Sequence, residues 1–477
     1  MRYPLALLSI LAIKLVPLLI FGPISVPDTP GYIAYSDEIL SGSAWLGDAG
    51  LDKSPLPASA IHMLGYPALI SVARACFGQE WRWGIIALQT ALSLGAIASL
   101  CLLRRPLGLS HRAMLFALIA AATTSSLVLD ATLLTDSLNA SLIDLAITML
   151  LLVGLSGRSM SASAAFSIGL PIAGAFLLRD AMCYLWLAML PLLACAVAFP
   201  YFKVNTGRAA LRRAVVLVVC LLPLFATYTA YSEWNRQRTG TAFVTTIGQL
   251  TLLAPLLTAA SYDSTIFSGD APLDQAARLS LGDYDYDDIL EINQQLFVSW
   301  HQTAPEIARA AYRKYFASWW QHPTAMARAI VANARENQLL LLFRPIDALR
   351  EYRLWATGAP SDVGRWKSVE GNPWLLPIYL LDRTSKAIAA IIFASFLLLT
   401  PWRAWREGRG SLEARVAMAM WLLYLGWYAI YAMVTIETRY MAPLLPYALL
   451  FGLANIAWLR HRQLQNANQS RLVCATL

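Results

Sequence analysis

The sequence specifies an all-α polytopic membrane protein of about ten transmembrane helices, with a long first outer loop and a small, mostly helical extracytoplasmic domain. Three observations lead there. Of 477 residues, 58% are hydrophobic and only 14% charged, whereas soluble domains carry about 25% charged residues. Apolar runs long enough to cross a hydrocarbon core, which takes roughly 20 residues, recur from end to end. The formal charge of +8 comes from short Lys and Arg clusters between those runs and forms no basic face. It therefore reads as a topology signal and not as a nucleic-acid interface.

In chain order, the apolar runs bounded by charge or turn residues predict spans near 4–25, 83–103, 112–129, 136–156, 162–178, 182–200, 211–231, 375–400, 413–434 and 440–459. The first run follows Arg2 as a signal peptide would. It contains Lys14, is too long and lacks an Ala-x-Ala cleavage site, so it is expected to remain as a span. Placing the N-terminus in the cytoplasm puts sixteen Lys and Arg on the inner segments, Arg104, Arg105, Lys203, Arg403 and Arg460 among them. The short outer segments then hold only Lys53, Arg74, Arg82, Arg179 and Arg439, so the positive-inside rule selects this orientation.

The expected organisation is residues 1–231 for spans one to seven, including the outer loop 26–82. Residues 232–374 form the extracytoplasmic domain, 375–460 spans eight to ten, and 461–477 a cytoplasmic tail. Within the domain, Thr303-Ala-Pro-Glu306 reads as a capping box. Trp319, Trp320 and Leu339 to Phe343 suggest segments lying at the membrane interface. The run Asp283-Tyr-Asp285-Tyr-Asp287-Asp288 alternates carboxylates like a calcium loop, but Asp288 stands where that loop needs Gly and Gln294 where it needs Glu. It is expected to be a solvated acidic turn. The six cysteines lack the close spacing of metal or redox motifs and are expected as free thiols, with Cys76 and Cys183 near the same outer face.

With orientation set, ionisable residues at the outer ends of the spans are few. They are Asp28 after span one, Asp130 and Asp136 between spans three and four, Arg179 and Asp180 between five and six, and Glu437 and Arg439 before span ten. Charges at the membrane boundary are costly unless paired or wetted, so acids and arginines converging from distant parts of the chain mark a candidate site. Each one alone could merely solvate a helix end.

Several short motifs at these places resemble the GT-C superfamily of polyprenyl-phosphate-sugar-dependent glycosyltransferases, in particular the branch with aminoarabinose transferases and protein O-mannosyltransferases. They are Pro27-Asp28-Thr29-Pro30-Gly31-Tyr32 with Tyr35, Gly65-Tyr66-Pro67-Ala68-Leu69, Gln89 with Arg104-Arg105, Leu134-Thr135-Asp136-Ser137-Leu138, Leu177-Leu178-Arg179 and Thr438-Arg439-Tyr440-Met441-Ala442-Pro443. Two features depart from the pattern. The chain stops soon after span ten without the soluble domain many relatives carry, and Asp136 stands where relatives often have Glu.

The resemblance implies transfer of a sugar from a polyprenyl phosphate donor to a cell-envelope acceptor at the outer side of the inner membrane, with inversion, no further cofactor and no metal. Residue chemistry is compatible. A carboxylate must take the acceptor proton, and Asp28 is the candidate base. The leaving phosphate needs fixed cations, for which Arg179 and Arg439 are candidates and Lys53 and His62 weaker ones. Glu437 belongs to the same substrate-binding group. Asp136 is open between orienting the acceptor, the sugar or Arg179, and Tyr32, Tyr35 and Tyr66 between stacking on sugar and serving as interfacial belt aromatics.

A transporter or flippase would instead place paired charges near the bilayer midplane, where Lys14 is the main charge read from the sequence. A surface-polysaccharide polymerase or ligase would use a similar outer site.

Overall fold

The computed structural model describes residues 2–46, 50–123, 126–198, 207–336, 345–358, 365–407, 411–434 and 438–476. These residues are almost all helical, and their only extended pairing is an isolated parallel bridge between Ile24 and Thr132.

Among the described residues, seven helical stretches are long and apolar enough to cross a membrane: Tyr3–Phe21, Gly65–Leu103, Asp136–Ser156, Ala210–Thr239, Pro373–Glu407, Leu412–Met433 and Arg439–Gln465. His111–Ala122, Ala162–Leu178 and Tyr184–Val197 are apolar but shorter. A polytopic all-α fold is therefore present, while the expected count of about ten spans is not confirmed among the described residues. Expected span three is one of the shorter helices. Its helix ends at Ala122 and a short turn of helix resumes at Ser126–Leu129. At its end the hydroxyl of Thr123 donates to Ile119 O, which also accepts the Thr123 N–H, and the hydroxyl of Ser126 donates to Ala121 O.

The first loop is more ordered than expected for a connector. Thr29–Ser41 and Gly65–Phe77 are helices of 13 residues each, and the second runs on through a 3-10 turn into Trp81–Ser99. The expected cytoplasmic tail continues the last helix, which reaches from Leu445 to Thr476. A π-helical turn at Ser395–Leu399 interrupts the Leu376–Glu407 stretch. There Asn455 donates to the Ser395 carbonyl and to the Thr400 hydroxyl oxygen, bonding the turn to the last helix.

The bundle core is one cluster of buried apolar side chains from most of the long helices, with Leu150, Met189, Leu192, Met420, Trp427 and Phe451 at its centre. The residues between the two halves of the bundle build their own core from Leu253, Leu256, Phe267, Ile292, Leu296, Ile307 and Met326. The capping box is present, with the Glu306 carboxylate accepting from both the backbone N–H and the hydroxyl of Thr303 at 2.8 Å. The acidic run is not simply solvated. Asp285 caps the Tyr286–Trp300 helix, and the buried Asp288 carboxylate accepts from the backbone N–H groups of Gly282 and Tyr284. Trp320 is almost fully exposed, while Trp319 packs on this core; Leu339 to Phe343 lie outside the described residues.

The small domain is tied to the bundle by polar bonds. Tyr315 donates to Met433 O at 2.6 Å, Asn333 to Ala432 O at 3.0 Å, and Gln249 to Pro55 O at 2.9 Å. Arg238, at the far end of the Gly207–Thr239 helix, donates to Ser59 O and Ala44 O in the first loop. Cys76 is a free thiol, and the Cys183 side chain lies outside the described residues.

Candidate functional site

Four chain segments deliver charge to one end of the bundle. Asp28 precedes the Thr29–Ser41 helix, which Pro30 helps to start. Its backbone carbonyl accepts from Gly31 and Tyr32 N–H. Thr29 Oγ1 accepts from Val26 N–H at 2.9 Å and donates to Leu133 O at 3.0 Å. Ile24 N–H donates to Ala131 O and Leu133 N–H to Ile24 O, each at 2.9 Å. The backbone after the first helix is thus bonded to the backbone before Asp136. Asp136 opens its helix, where a carboxylate suits the positive end of the helix dipole. Arg179 closes the Ala162–Leu178 helix at the complementary negative end. Arg439 rides on the 3-10 turn Thr438–Leu444.

The side chains meet. Arg179 Nη1 lies 2.5 Å from Asp136 Oδ1, Arg439 Nη1 3.9 Å from Asp136 Oδ2, and Arg439 Nη2 3.8 Å from Asp28 Oδ2. The Tyr440 ring sits beneath both guanidinium groups, 4.1 Å from Arg179 and 5.4 Å from Arg439, and stacks on Tyr431 at 4.7 Å. Cation–π contacts of this kind hold a guanidinium plane in place. Exposure grades across the set: the Asp136 side chain is 5% exposed, Arg439 18% and Asp28 45%. Asp136 is therefore consumed in holding the arginines, and Asp28 is the carboxylate that faces water.

An aromatic wall flanks Asp28. The His62 and Tyr32 rings lie 4.4 Å apart, Tyr32 meets Tyr66 edge-on at 5.1 Å, and Tyr66 donates to Gln89 Oε1 at 2.9 Å. Gln89 in turn donates to Thr132 O. Burial pushes the His62 imidazole down to about 4 against the opposing pull of Asp28, which favours the neutral ring. Burial and the charges of Asp28 and Asp136 push the Tyr32 hydroxyl up, so it stays protonated and can donate. Tyr35 and Tyr66 are both fully buried, and Tyr32 is 7% exposed.

Lys53 is exposed and makes no ion pair among the described residues, and Glu437 lies outside them. Asp180 accepts from the Thr245 hydroxyl at 2.7 Å, and burial pushes its carboxyl up. Asp130, expected beside Asp136, is instead buried as the partner of Lys14 at 2.5 Å. Tyr440 was missed as a functional residue although it follows Arg439 directly. Asp144, buried within the Asp136–Ser156 helix, was passed over as one acid in an apolar run.

No family model matches the chain, and no curated protein matches its sequence. Among solved structures it is similar to the oligosaccharyltransferase of Archaeoglobus fulgidus. The complex of that enzyme with zinc and sulfate gives a TM-score of 0.50 at 13% identity over 98% of this chain and 51% of the other. The apo form gives the same TM-score and identity, over 98% and 52%. The chain spans about half the length of these structures. This likeness is one of fold. It shows a shared fold alone, and offers nothing for the aminoarabinose or O-mannosyltransferase branch.

Zinc in the solved relative raises the question of a metal here. Among the described residues no group of three or more His, Cys, Asp and Glu is placed to hold one, and the two carboxylates of the site face arginines within 4 Å. That donor set does not fit a divalent cation.

Proposed function

We propose that the chain is a membrane glycosyltransferase, moving a sugar or glycan from a polyprenyl phosphate or diphosphate carrier to a cell-envelope acceptor at the outer face of the inner membrane. The observation that carries this is the bridge of Arg439 between the wet carboxylate of Asp28 and the buried pair of Asp136 with Arg179. It sets a base beside two fixed cations, which is what a proton-taking, phosphate-releasing transfer requires.

In this reaction the acceptor O–H proton passes to an Asp28 oxygen as the acceptor oxygen bonds the anomeric carbon. The bond from that carbon to the phosphate oxygen breaks, and the phosphate leaves with the electron pair. Arg179 and Arg439 face its growing charge, Tyr440 holds their planes, and Asp136 positions Arg179. Attack opposite the leaving group inverts the anomeric centre. No step here passes through a metal ion.

The test is mass spectrometry of surface glycans and lipids from cells carrying wild type, a deletion or Asp28→Asn at equal protein levels. Deletion and Asp28→Asn are expected to remove the same sugar, with transfer by the purified variant down about 10² to 10⁴-fold. Unchanged glycans in both would sink the proposal.

One observation favours a transporter or flippase instead: the buried Lys14 and Asp130 pair and Asp144 place charge inside the bundle. Under that reading Asp28→Asn is silent, and replacing Lys14 stops export of a carrier-linked sugar.

A further inference from the structure

A small polar cavity lies inside the bundle, distinct from the charged end described above. It is lined by Ser93 and Ile97, by Ser126 and Asp130, by Ser137, Ser141 and Asp144, and by Ala442 and Pro446, and its volume is about 30 Å³. That is room for about two water-sized particles. Ser137, Ser141 and Asp144 stand on successive turns of one helix face, as spacings of four and three residues dictate.

The chemistry of the lining is one-sided. The Ser126 hydroxyl spends its hydrogen on Ala121 O, Ser137 on Asp130 Oδ1, and Ser141 on Ser137 O. Ser93 Oγ accepts from Lys14. Ser126 Oγ also accepts from Lys14, at 3.3 Å. Apart from the Ser93 hydroxyl hydrogen, what these groups offer the cavity is oxygen lone pairs. Charge does not balance either. Lys14 offsets Asp130, and the Asp144 residue, 8% exposed, has no basic side chain paired with it among the described residues. Its Oδ1 is buried with no hydrogen-bond partner, and the nearby Tyr447 hydroxyl donates to the Asp144 backbone carbonyl instead. A carboxylate left so inside a membrane bundle is costly.

We propose that this cavity binds one sodium ion, held by Asp144, Asp130 and the serine hydroxyls. Oxygen-only donors suit a hard cation, and one net negative charge calls for a monovalent one. Magnesium keeps several of its waters and needs an octahedral shell, which this volume does not hold. A proton on Asp144 would cancel the charge and supply one donor, leaving the other oxygen lone pairs of the lining facing the cavity. Sodium answers both. The ion would tie the Asp136–Ser156 helix to the turn that carries Asp130, six residues before Asp136, and so brace one arm of the charged end.

The test is thermal unfolding of the purified full chain in detergent, in sodium chloride against choline chloride at equal ionic strength. Sodium is expected to raise the midpoint saturably by about 2–4 °C. Asp144→Asn should remove that rise, and Ser141→Ala should raise the sodium concentration for half effect several-fold. Equal midpoints in the two salts overturn the proposal, as does a full sodium shift that survives in the variants. If Asp144→Asn fails to fold, Ser141→Ala decides alone. No sugar donor enters the measurement, so its outcome is independent of the transferase reading.

Discussion

Two carboxylate–cation pairs on neighbouring turns of the structure behave as opposites. Asp130 and Lys14 touch at 2.5 Å with side chains 3% and 2% exposed, whereas Asp28 and Arg439 stand 3.8 Å apart with Asp28 45% exposed. Removing half of a tight buried pair strands a charge, so such a pair is a structural member. A loose pair at the water boundary costs little to part and leaves an oxygen for a substrate proton. Nearness of opposite charges therefore does not by itself mark chemistry; the wet and slack pair is the one to watch.

The largest expected effect follows from that contrast. Asp130→Asn should destabilise the protein by about 3–5 kcal/mol, and the Lys14→Met, Asp130→Leu double variant should regain most of it. Asp28→Asn should change stability by under about 1 kcal/mol. Thermal unfolding in detergent measures all three, and equal losses for Asp130→Asn and Asp28→Asn would erase the distinction. Next comes Gly65→Ala. A Cβ at Gly65 would press on the backbone carbonyl of Leu177, two residues from Arg179, and a cost of about 1–3 kcal/mol is expected. Arg179→Lys keeps the charge but loses the planar contact with Tyr440. Transfer by the purified variant should fall about tenfold, since Arg and Lys are not interchangeable at stacked sites.

A last prediction concerns His62. Its folded pKa of about 4 lies below the ordinary 6.5, so folding selects the neutral ring. The stability this brings is complete above 6.5 and is lost as pH falls through 4. The wild-type melting midpoint should drop between those values more steeply than that of His62→Gln, and parallel curves would count against a buried, neutral ring.

Much of the bundle could be read from residue order. The helix expected at 136–156 is Asp136–Ser156 and that at 162–178 is Ala162–Leu178, because Ser161 caps the second and Gly157 ends the first in a left-handed turn. The Gly65–Phe77 helix was hidden within the long loop, since Arg74 and a length of 13 residues deny it the signature of a span. Of the site, the gathering of Asp28, Asp136, Arg179 and Arg439 at one end follows from topology alone. Which acid meets which base does not, because spacing along a chain says nothing about an approach between helices 300 residues apart. Asp130 shows the limit: six residues from Asp136, it turns inward toward Lys14 while Asp136 turns to Arg179.

The backbone stitch of Ile24 to Ala131 and Leu133 has a mechanical consequence. Asp28 and Asp136 hang from a single bonded unit of main chain, so the gap between them is a gauge that side-chain replacement leaves untouched. Arg439 sits on a separate turn near the opposite terminus. The spacing of the two carboxylates is therefore set by main chain alone, whatever side chain reaches them from that turn.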